Sequence, residues 1–361
     1  MLVTLETRSF RNLADQAIRF APGRQLLVGR NGAGKTSLLE AVYLLATTRS
    51  FRTAQLADCA RHGSDGFHLA ADAGPEGRQR LEVGWQPSER RRRLNGHEVP
   101  LTRYLAALRV VAWTSAEAGL LAGPPELGRR LLDRGVIGLR PGAIEALRGY
   151  RRALAQKREL LAAGGHRGID SWNAVLAAAA AEVIARRADY AERLQQAYDA
   201  VHARTPLDLP PLRLAYVPSP RRGREGEAAI AAALAHVARR EGERRMPLVG
   251  PHRDRLVFLW QGREIQRVAS AGERKALGML LLAAQGRVLQ EASLEPLLLL
   301  DDADAELDRR RQGAVWEAFR GVGQLLATSS REEAWEGVPV EGRRGLEDGV
   351  VGAPEATSEG G

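Results

Sequence analysis

Eight consecutive residues, Gly29-Arg30-Asn31-Gly32-Ala33-Gly34-Lys35-Thr36, follow the apolar run Leu26-Leu27-Val28 and precede the helix-like stretch Ser37 to Leu45. A strand, a glycine-rich turn and a helix with G-x-x-x-x-G-K-[ST] at the junction form a phosphate-cradling P-loop. Gly29, Gly32 and Gly34 let successive backbone N–H groups, with those of Arg30, Asn31, Ala33 and Ser37, converge on a phosphate beside the positive end of the helix dipole. Lys35 would reach the β- and γ-phosphates, and the Thr36 hydroxyl would hold Mg²⁺. Only three lysines, Lys35, Lys157 and Lys275, stand among 53 basic residues. In so arginine-rich a chain, a lysine here points to a need for a slim ammonium on a flexible stem. ATP with Mg²⁺ is the expected ligand pair.

Such a loop needs a carboxylate for its metal. Leu297-Leu298-Leu299-Leu300-Asp301-Asp302 supplies an apolar strand ending in two acids. Asp301 is the expected Mg²⁺ partner, and Asp302 is placed to orient or deprotonate the attacking water. Lys35, Asp301 and Asp302 are therefore the expected catalytic set. Ser270-Ala271-Gly272-Glu273 opens a long amphipathic helix, a second helix start with small residues and a hydroxyl. By itself a serine at such a position is usually only a cap.

At 361 residues the chain can hold one large domain or two moderate ones. Its 44% hydrophobic and 27% charged content is that of a soluble globular protein. The single cysteine, Cys59, allows no internal disulfide, fits a reducing compartment, and reads as a small buried filler rather than a nucleophile. No stretch approaches the roughly 18 apolar residues of a membrane span, and the charged start does not resemble a signal peptide. The expected location is the cytoplasm, with no membrane partner. Net charge is +9, yet the segment from Glu332 to Gly361 has eight acidic residues and two arginines, or −6. The remainder thus carries +15, a basic body suited to a polyanion such as nucleic acid, with an acidic tail expected to be partly disordered. Coding bias toward arginine on solvated faces is the other reading of that charge.

The periodicity implies α/β alternation around a helical segment. Short strands are expected at Leu2 to Thr7, Ala17 to Phe20, Phe67 to Ala71, Leu81 to Trp85 and Val110 to Trp113. Asn95-Gly96 marks a tight hairpin turn after Arg90 to Arg93. Those arginines could track phosphates or protect a solvated edge. From Pro125 to about His202, Leu147, Leu154 and Leu161 recur every seven residues, as do Leu176, Val183, Tyr190 and Ala197. Two long antiparallel helices are expected, broken at 164–168 and with Arg187 interrupting the seam. Alternation resumes with Leu212 to Val217, a helix near Glu227 to Glu241, Leu256 to Trp260, and a helix from Gly272 to Glu291. The expected organisation is a discontinuous P-loop domain (1–120 and 206–331), an inserted helical arm (121–205), and the tail (332–361).

Several of these segments carry a resemblance. Ser270-x-Gly272-Glu273 resembles the signature of ABC-type ATPases, in which the serine and helix start bind the γ-phosphate on the opposite subunit's P-loop. Ala305-Glu306-Leu307-Asp308 resembles the D-loop of the same superfamily. More specifically, Leu5-Glu6-Thr7-Arg8-Ser9-Phe10-Arg11-Asn12-Leu13 with the P-loop resembles the opening of the RecF family, bacterial recombination-mediator ATPases related to SMC proteins. Arg49-Ser50-Phe51-Arg52, Gly123-Pro124-Pro125 with Arg129-Arg130-Leu131-Leu132-Asp133, and Gly250-Pro251-His252-Arg253-Asp254 continue the match in order.

The resemblance covers residues 2 to about 330. It implies an ABC/SMC-head-like fold and weak DNA-stimulated ATP hydrolysis. It also implies an ATP-dependent homodimer that binds DNA at single-strand/double-strand junctions or duplex beside gaps. Such a protein acts with RecO and RecR to load RecA in DNA repair, DNA replication and the SOS response to DNA damage. The family usually has Gln where Glu273 stands, Arg or Gln at Ala271, Asp at Arg255 and Ser at Ala305. Two alternatives stay open: a nucleotide-gated DNA-binding scaffold with negligible turnover, and a transporter-type ATPase. A GTPase is disfavoured, because no Asn-Lys-x-Asp motif exists.

Overall fold

The structure, a computed structural model, describes residues 1–117, 119–164, 169–221 and 226–354. It divides into two compact units, 1–121 with 197–211 and 269–361, and 122–196 with 212–268.

The first unit opens with β1 (Leu2–Arg8), β2 (Gln16–Arg19) and β3 (Arg24–Val28), then α1 (Lys35–Thr47). β4 (Phe67–Ala73), β5 (Gln79–Gln86), β6 (Glu89–Leu94), α2 (Leu101–Ala107) and β7 (Arg109–Trp113) follow. An antiparallel sheet in the order β2-β1-β4-β5-β6 is built entirely from this part. α1 is rich in Leu and Ala and has neither Pro nor Gly. It is buried on nearly every side, which is why its sequence is apolar around the whole circumference. It touches β4 and β5 on one side and β7 and β12 (below) on the other, so it lies between two sheets.

The second unit holds α3 (Pro125–Leu139), α4 (Ala143–Ala162) and α5 (Ile169–Arg204), the last running on into the first unit from Ala197. β8 (Leu212–Val217), α6 (Glu227–Arg244), β9 (Arg255–Trp260) and β10 (Arg263–Glu264) complete it, as an antiparallel sheet ordered β10-β9-β8. The heptad positions Leu147, Leu154, Leu161, Leu176, Val183 and Tyr190 are all buried.

Two expectations need correction here. Three helices, not two, occupy 125–204, because Pro125 starts an additional one. The unit also takes in 212–268, which the sequence reading placed in the ATPase domain. The reason is packing: Gly128 of α3 lies against Leu256 of β9, and buried Lys157 of α4 pairs with Glu241 of α6 at 2.6 Å.

Arg187, the break in the seam, explains itself in the same way. It is buried with Asp133 at 2.8 Å and Asp254 at 2.7 Å, and donates to the Pro251 carbonyl at 2.7 Å. Burial acts to lower its pKa, and the charges of Asp133 and Asp254 more than offset this, so the guanidinium stays protonated.

The first unit resumes with α7 (Ala271–Glu291), β11 (Pro296–Leu300), α8 (Arg309–Ala318), β12 (Gln324–Ser329), β13 (Gly342–Glu347) and β14 (Val350–Val351). The second sheet runs β14-β13-β3-β12-β11-β7, parallel except for the edge strand β14. Its central strands β11 and β12 are buried along their whole length and mostly apolar because both faces are covered, whereas β13 near the edge alternates buried residues with half-buried or exposed ones. Leu297 and Leu299 join the cluster around α1, whereas Leu298 lies against Gly286 of α7.

The acidic tail is therefore not free over 342–351: β13 hydrogen-bonds to β3, and Leu346 is buried. The charges that suggested disorder are partly spent on pairs. Glu341 holds Arg24 at 2.7 Å, Glu332 lies 3.3 Å from Arg343, and Glu336 lies 3.4 Å from Arg309. Residues 355–361 lie outside the described residues.

Candidate nucleotide site

The P-loop joins the end of β3 to the start of α1, as its sequence requires. Gly34 precedes the helix at φ 112°, a left-handed conformation open to glycine, and no side chain caps the first turn. The leading N–H groups of α1 thus point into the loop. Gly29 is needed for a different reason: a Cβ there would stand 2.1 Å from the carbonyl oxygen of Leu346. Lys35 is buried and folds over the loop, its Nζ donating to the carbonyls of Gly29 at 2.7 Å and Arg30 at 3.0 Å. Arg30, Asn31 and Gly32 are exposed.

Sheet order then brings the second half of the site to the first. β11 is two strands from β3, with β12 between them, so both strands end at the same edge. The Thr36 hydroxyl lies 3.0 Å from one Asp301 carboxylate oxygen and 3.2 Å from the other. Burial raises the Asp301 pKa and the neighbouring Asp302 charge adds to this, against hydrogen bonds from Thr328 and Thr36 and the charge of Lys35. A buried carboxylate beside a hydroxyl is a hard-oxygen pair that fits Mg²⁺, an ion that keeps waters and substrate phosphates as its other ligands. Thr36 and Asp301 are the two side chains that would hold it. Among the described residues no group of three or more His, Cys, Asp or Glu is arranged to bind a metal.

Asp302 is exposed, at φ 48°. Its N–H donates to Thr328 Oγ1 at 3.0 Å, and that hydroxyl in turn donates to Asp301 at 2.8 Å. Thr328 at the end of β12 thus fixes both acids. Asn12 is a second residue that the motif did not include. Its Nδ2 donates to the Gly32 carbonyl and its Oδ1 accepts from Ser37 Oγ, each at 2.7 Å, bracing the loop from both sides. Its place in the Phe10-Arg11-Asn12 stretch was the available signal.

Ser270, Gly272 and Glu273 lie elsewhere. Ser270 caps α7, accepting from Glu273 N–H at 3.3 Å, while the Glu273 carboxylate accepts from Ser270 N–H and Oγ, each at 2.8 Å. These bonds, the backbone one first, hold Glu273 below the usual carboxylate range. No hydrogen bond or ion pair joins the three residues to 29–37 among the described residues. Gly272 instead lies against the D-loop-like segment, where a Cβ would be 2.8 Å from the Glu306 carbonyl. Asp308 at the end of that segment caps α8, accepting from Arg311 N–H at 2.9 Å.

The arginine run on β6 is divided by strand alternation. Arg90 donates to the Thr48 carbonyl, and Arg92 to that of Val99 at 2.8 Å while lying over the Tyr104 ring. Arg92 is half-buried, whereas Arg90, Arg91 and Arg93 are exposed, and Arg91 is paired with Glu89 at 2.6 Å. The Asn95-Gly96 turn does form, bonding Leu94 to His97, but the hairpin that carries the arginines turns at 87–88. A second run of basic residues, Arg221, Arg222 and Arg224, follows β8; Arg221 is exposed, and Arg222 and Arg224 lie outside the described residues. Cys59 is fully buried, its thiol pushed up to about 11 by burial and by Glu40, as befits a filler.

A P-loop on β3, its acid on the neighbouring parallel strands and a capped signature-like helix define an ABC/SMC-type ATPase head. Comparison with known proteins agrees. Residues 1–341 match the RecF/RecN/SMC N-terminal domain family. The DNA replication and repair protein RecF of Anaeromyxobacter sp. is 36% identical over 341 residues, covering 91% of this chain and 92% of that one. RecF of Thermosynechococcus vestitus is 34% identical, covering 91% and 90%. In fold, the chain is similar to the recombination mediator protein RecF solved as RecF-ATP in the RecFOR pathway. That likeness has a TM-score of 0.84 at 23% identity over 98% of this chain and 97% of that one. An Smc head bound to the C-winged helix domain of ScpA gives a TM-score of 0.60 at 15% identity, over 99% and 98%. The chain belongs to the RecF family of DNA replication and repair proteins. The transporter alternative is thereby set aside. No helix among the described residues is long and apolar enough to cross a membrane.

Proposed function

We propose that this chain is a cytoplasmic, ATP-dependent DNA-binding protein of recombinational repair and replication restart. It dimerises on ATP and acts with RecO and RecR to load RecA at single-strand gaps. The carrying observation is the 3.0 Å approach of Thr36 to Asp301, which unites the phosphate loop with the acid of β11. The N–H groups of residues 29–37 bind the β-phosphate of ATP. Lys35 exchanges its two carbonyl partners for phosphate oxygens, a stronger charge-assisted contact. Thr36 and Asp301 would hold Mg²⁺, which would supply neutralisation of the phosphate charge. Asp302 orients the attacking water and takes its proton. Ser270 and Gly272 serve the nucleotide of a second copy, a reading supported by their placement away from their own loop.

One observation favours the quieter alternative of a DNA-binding scaffold with negligible turnover. Glu273, where the family usually has glutamine, ties up the Ser270 hydroxyl and puts a carboxylate where a γ-phosphate would arrive. Hydrolysis by this chain is accordingly slow and gated by whatever opens that cap.

ATP turnover and DNA anisotropy, measured with gapped, duplex and single-stranded DNA, test both readings. Slow turnover raised by gapped DNA is expected; ATP binding without turnover on any DNA selects the scaffold. Lys35→Met and Ser270→Arg chains should each be inactive, and mixing them should restore part of the activity through one intact composite site. Neither restored activity nor ATP-induced dimerisation by light scattering would return Ser270 to a plain helix cap.

A further inference from the structure

Lys275, the last of the three lysines, lies in the second turn of α7 and is not used by the site as described. Its Nζ donates at 2.7 Å to the main-chain carbonyl of Asp302. The carboxylates of Glu306, Asp302, Asp304 and Asp301 all act on its charge. Asp304 has its own cation, Arg331 at 2.7 Å, and Arg311 lies 3.5 Å from Asp308 and 3.9 Å from Glu273. Lys275 is the basic residue bonded to the Asp302 main chain.

That main chain is held in an unfavourable shape. A non-glycine residue at φ 48° sits in the left-handed region, which costs on the order of 1 kcal/mol or more and persists only where neighbours enforce it. The enforcing contacts are few. Thr328 accepts the Asp302 N–H at 3.0 Å, while Lys275 at 2.7 Å and the Ala305 N–H at 3.2 Å share the carbonyl. Without the lysine, the carbonyl would keep only the longer Ala305 bond, and the acidic cluster would lose a positive charge.

We propose that Lys275 is a positioning residue that holds the Asp302 main chain in its left-handed conformation, aims its carboxylate, and ties that aim to the capped start of α7. The proposal rests on the reading of Asp302 as the residue that orients and deprotonates water. Because Ser270 and Lys275 share the first two turns of one helix, any ligand that shifts the cap moves the lysine's anchor on Asp302. Arrival of a partner's nucleotide at Ser270 would thereby be felt at the acid of the chain that carries it.

The test uses the full chain with Lys275→Met and Lys275→Arg. Lys275→Met should lower kcat by about 10²-fold, the scale of a misplaced general base. The ATP KM and Kd should stay within about 2-fold. Lys275→Arg, which keeps a cationic donor, should recover most of the loss. An unchanged kcat in Lys275→Met overturns the proposal. So does a rise of KM in step with the loss, or a Tm loss that Lys275→Arg does not repair. A crystal structure of Lys275→Met gives a readout independent of turnover: Asp302 should leave the left-handed region, and its retention there overturns the proposal. A wild-type chain without ATPase activity would sink the functional reading alone, and the Asp302 backbone would still decide the role of Lys275.

Discussion

The N–H of Gly349 donates at 2.9 Å to the carbonyl of Ala33, which ties the turn between β13 and β14 to the middle of the phosphate loop. The Gly349 carbonyl accepts from Ala14 N–H and from Gln16. Gly349 stands at φ 79°, and a Cβ on it would fall 2.1 Å from the Asn12 carbonyl. A segment more than 300 residues downstream therefore shapes the nucleotide site. Gly349→Ala should cost roughly 1–3 kcal/mol of stability and weaken ATP binding about tenfold or more. Gly345→Ala, in open space on the same hairpin, should change neither. Paired measurements of Tm and nucleotide Kd check this, and equal behaviour of the two variants would refute it.

Asp301 and Asp302 are adjacent yet differently placed, the first buried against Thr36 and Thr328 and the second exposed. Asp301→Asn should lose the Mg²⁺-dependent part of ATP binding. Asp302→Asn should retain binding within about 3-fold and lower kcat by about 10²-fold or more. Titration with and without Mg²⁺, beside single-turnover kinetics, separates the two. Hydrolysis by Asp302→Asn at the wild-type rate would remove it from its assigned role.

Arg187 compensates two buried carboxylates, Asp133 and Asp254. Breaking such a cluster by removing one partner typically costs about 3–5 kcal/mol, because a buried charge is left without its counterion. Arg187→Leu should show that loss in urea denaturation. Restoring much of it by adding Asp133→Asn and Asp254→Asn would confirm that stranded charge, rather than lost packing, is the cause.

His252 gives the second unit a pH dependence of definite sign. Burial, with Arg158, Arg253 and Arg129 nearby, lowers its pKa to about 4 despite the Pro247 carbonyl. Pro247 can only accept, so Nε2 carries the proton and Nδ1 accepts the Tyr150 O–H at 2.6 Å. Protonation would remove that acceptor. A folded pKa below the unfolded one means that the unfolded chain binds the extra proton. The contribution is full above the unfolded value near 6.5 and is lost as pH falls toward 4, at most about 3 kcal/mol. His252→Gln should flatten the slope of stability between those limits, as read by denaturation at a series of pH values.

Arg91 and Arg93 are exposed members of the β6 run that, unlike Arg90 and Arg92, do not hold a main-chain carbonyl; Arg91 is paired only with the exposed Glu89. If both touch duplex DNA, replacing them with alanine should reduce the log–log salt slope by about 2, near 0.9 per contact. Arg90→Ala and Arg92→Ala should leave the slope alone and instead lower stability, since those side chains hold the Thr48 and Val99 carbonyls. An unchanged slope on replacing Arg91 and Arg93 would leave β6 as a solvated edge.

Local pattern was enough for the phosphate loop, α1, β11 and the two acids. Each is a short run whose residue types satisfy one backbone geometry: glycines for the turn, an apolar run for a strand buried on both faces, a lysine and a hydroxyl at a helix start. The heptad positions were legible for the same reason. What the sequence could not disclose was partnership. Acidic content made 332–361 look like a free tail, because composition registers charge but not the arginines that neutralise Glu332, Glu336 and Glu341. Four consecutive arginines looked like one patch until the pleat of β6 sent alternate members to opposite faces. Arg187 looked like a flaw in a seam until Asp133 and Asp254, 54 and 67 residues away, closed around it. Thr328 and Lys275 carry no motif of their own, and Asn12 lies in a recognisable stretch that does not disclose its role; all three acquire meaning from what lies within about 3 Å of them. Backbone geometry is set by neighbours in the chain and can be read there; hydrogen bonds and ion pairs are set by neighbours in space, and only the folded sheet order of the first unit and the buried network of the second decided those.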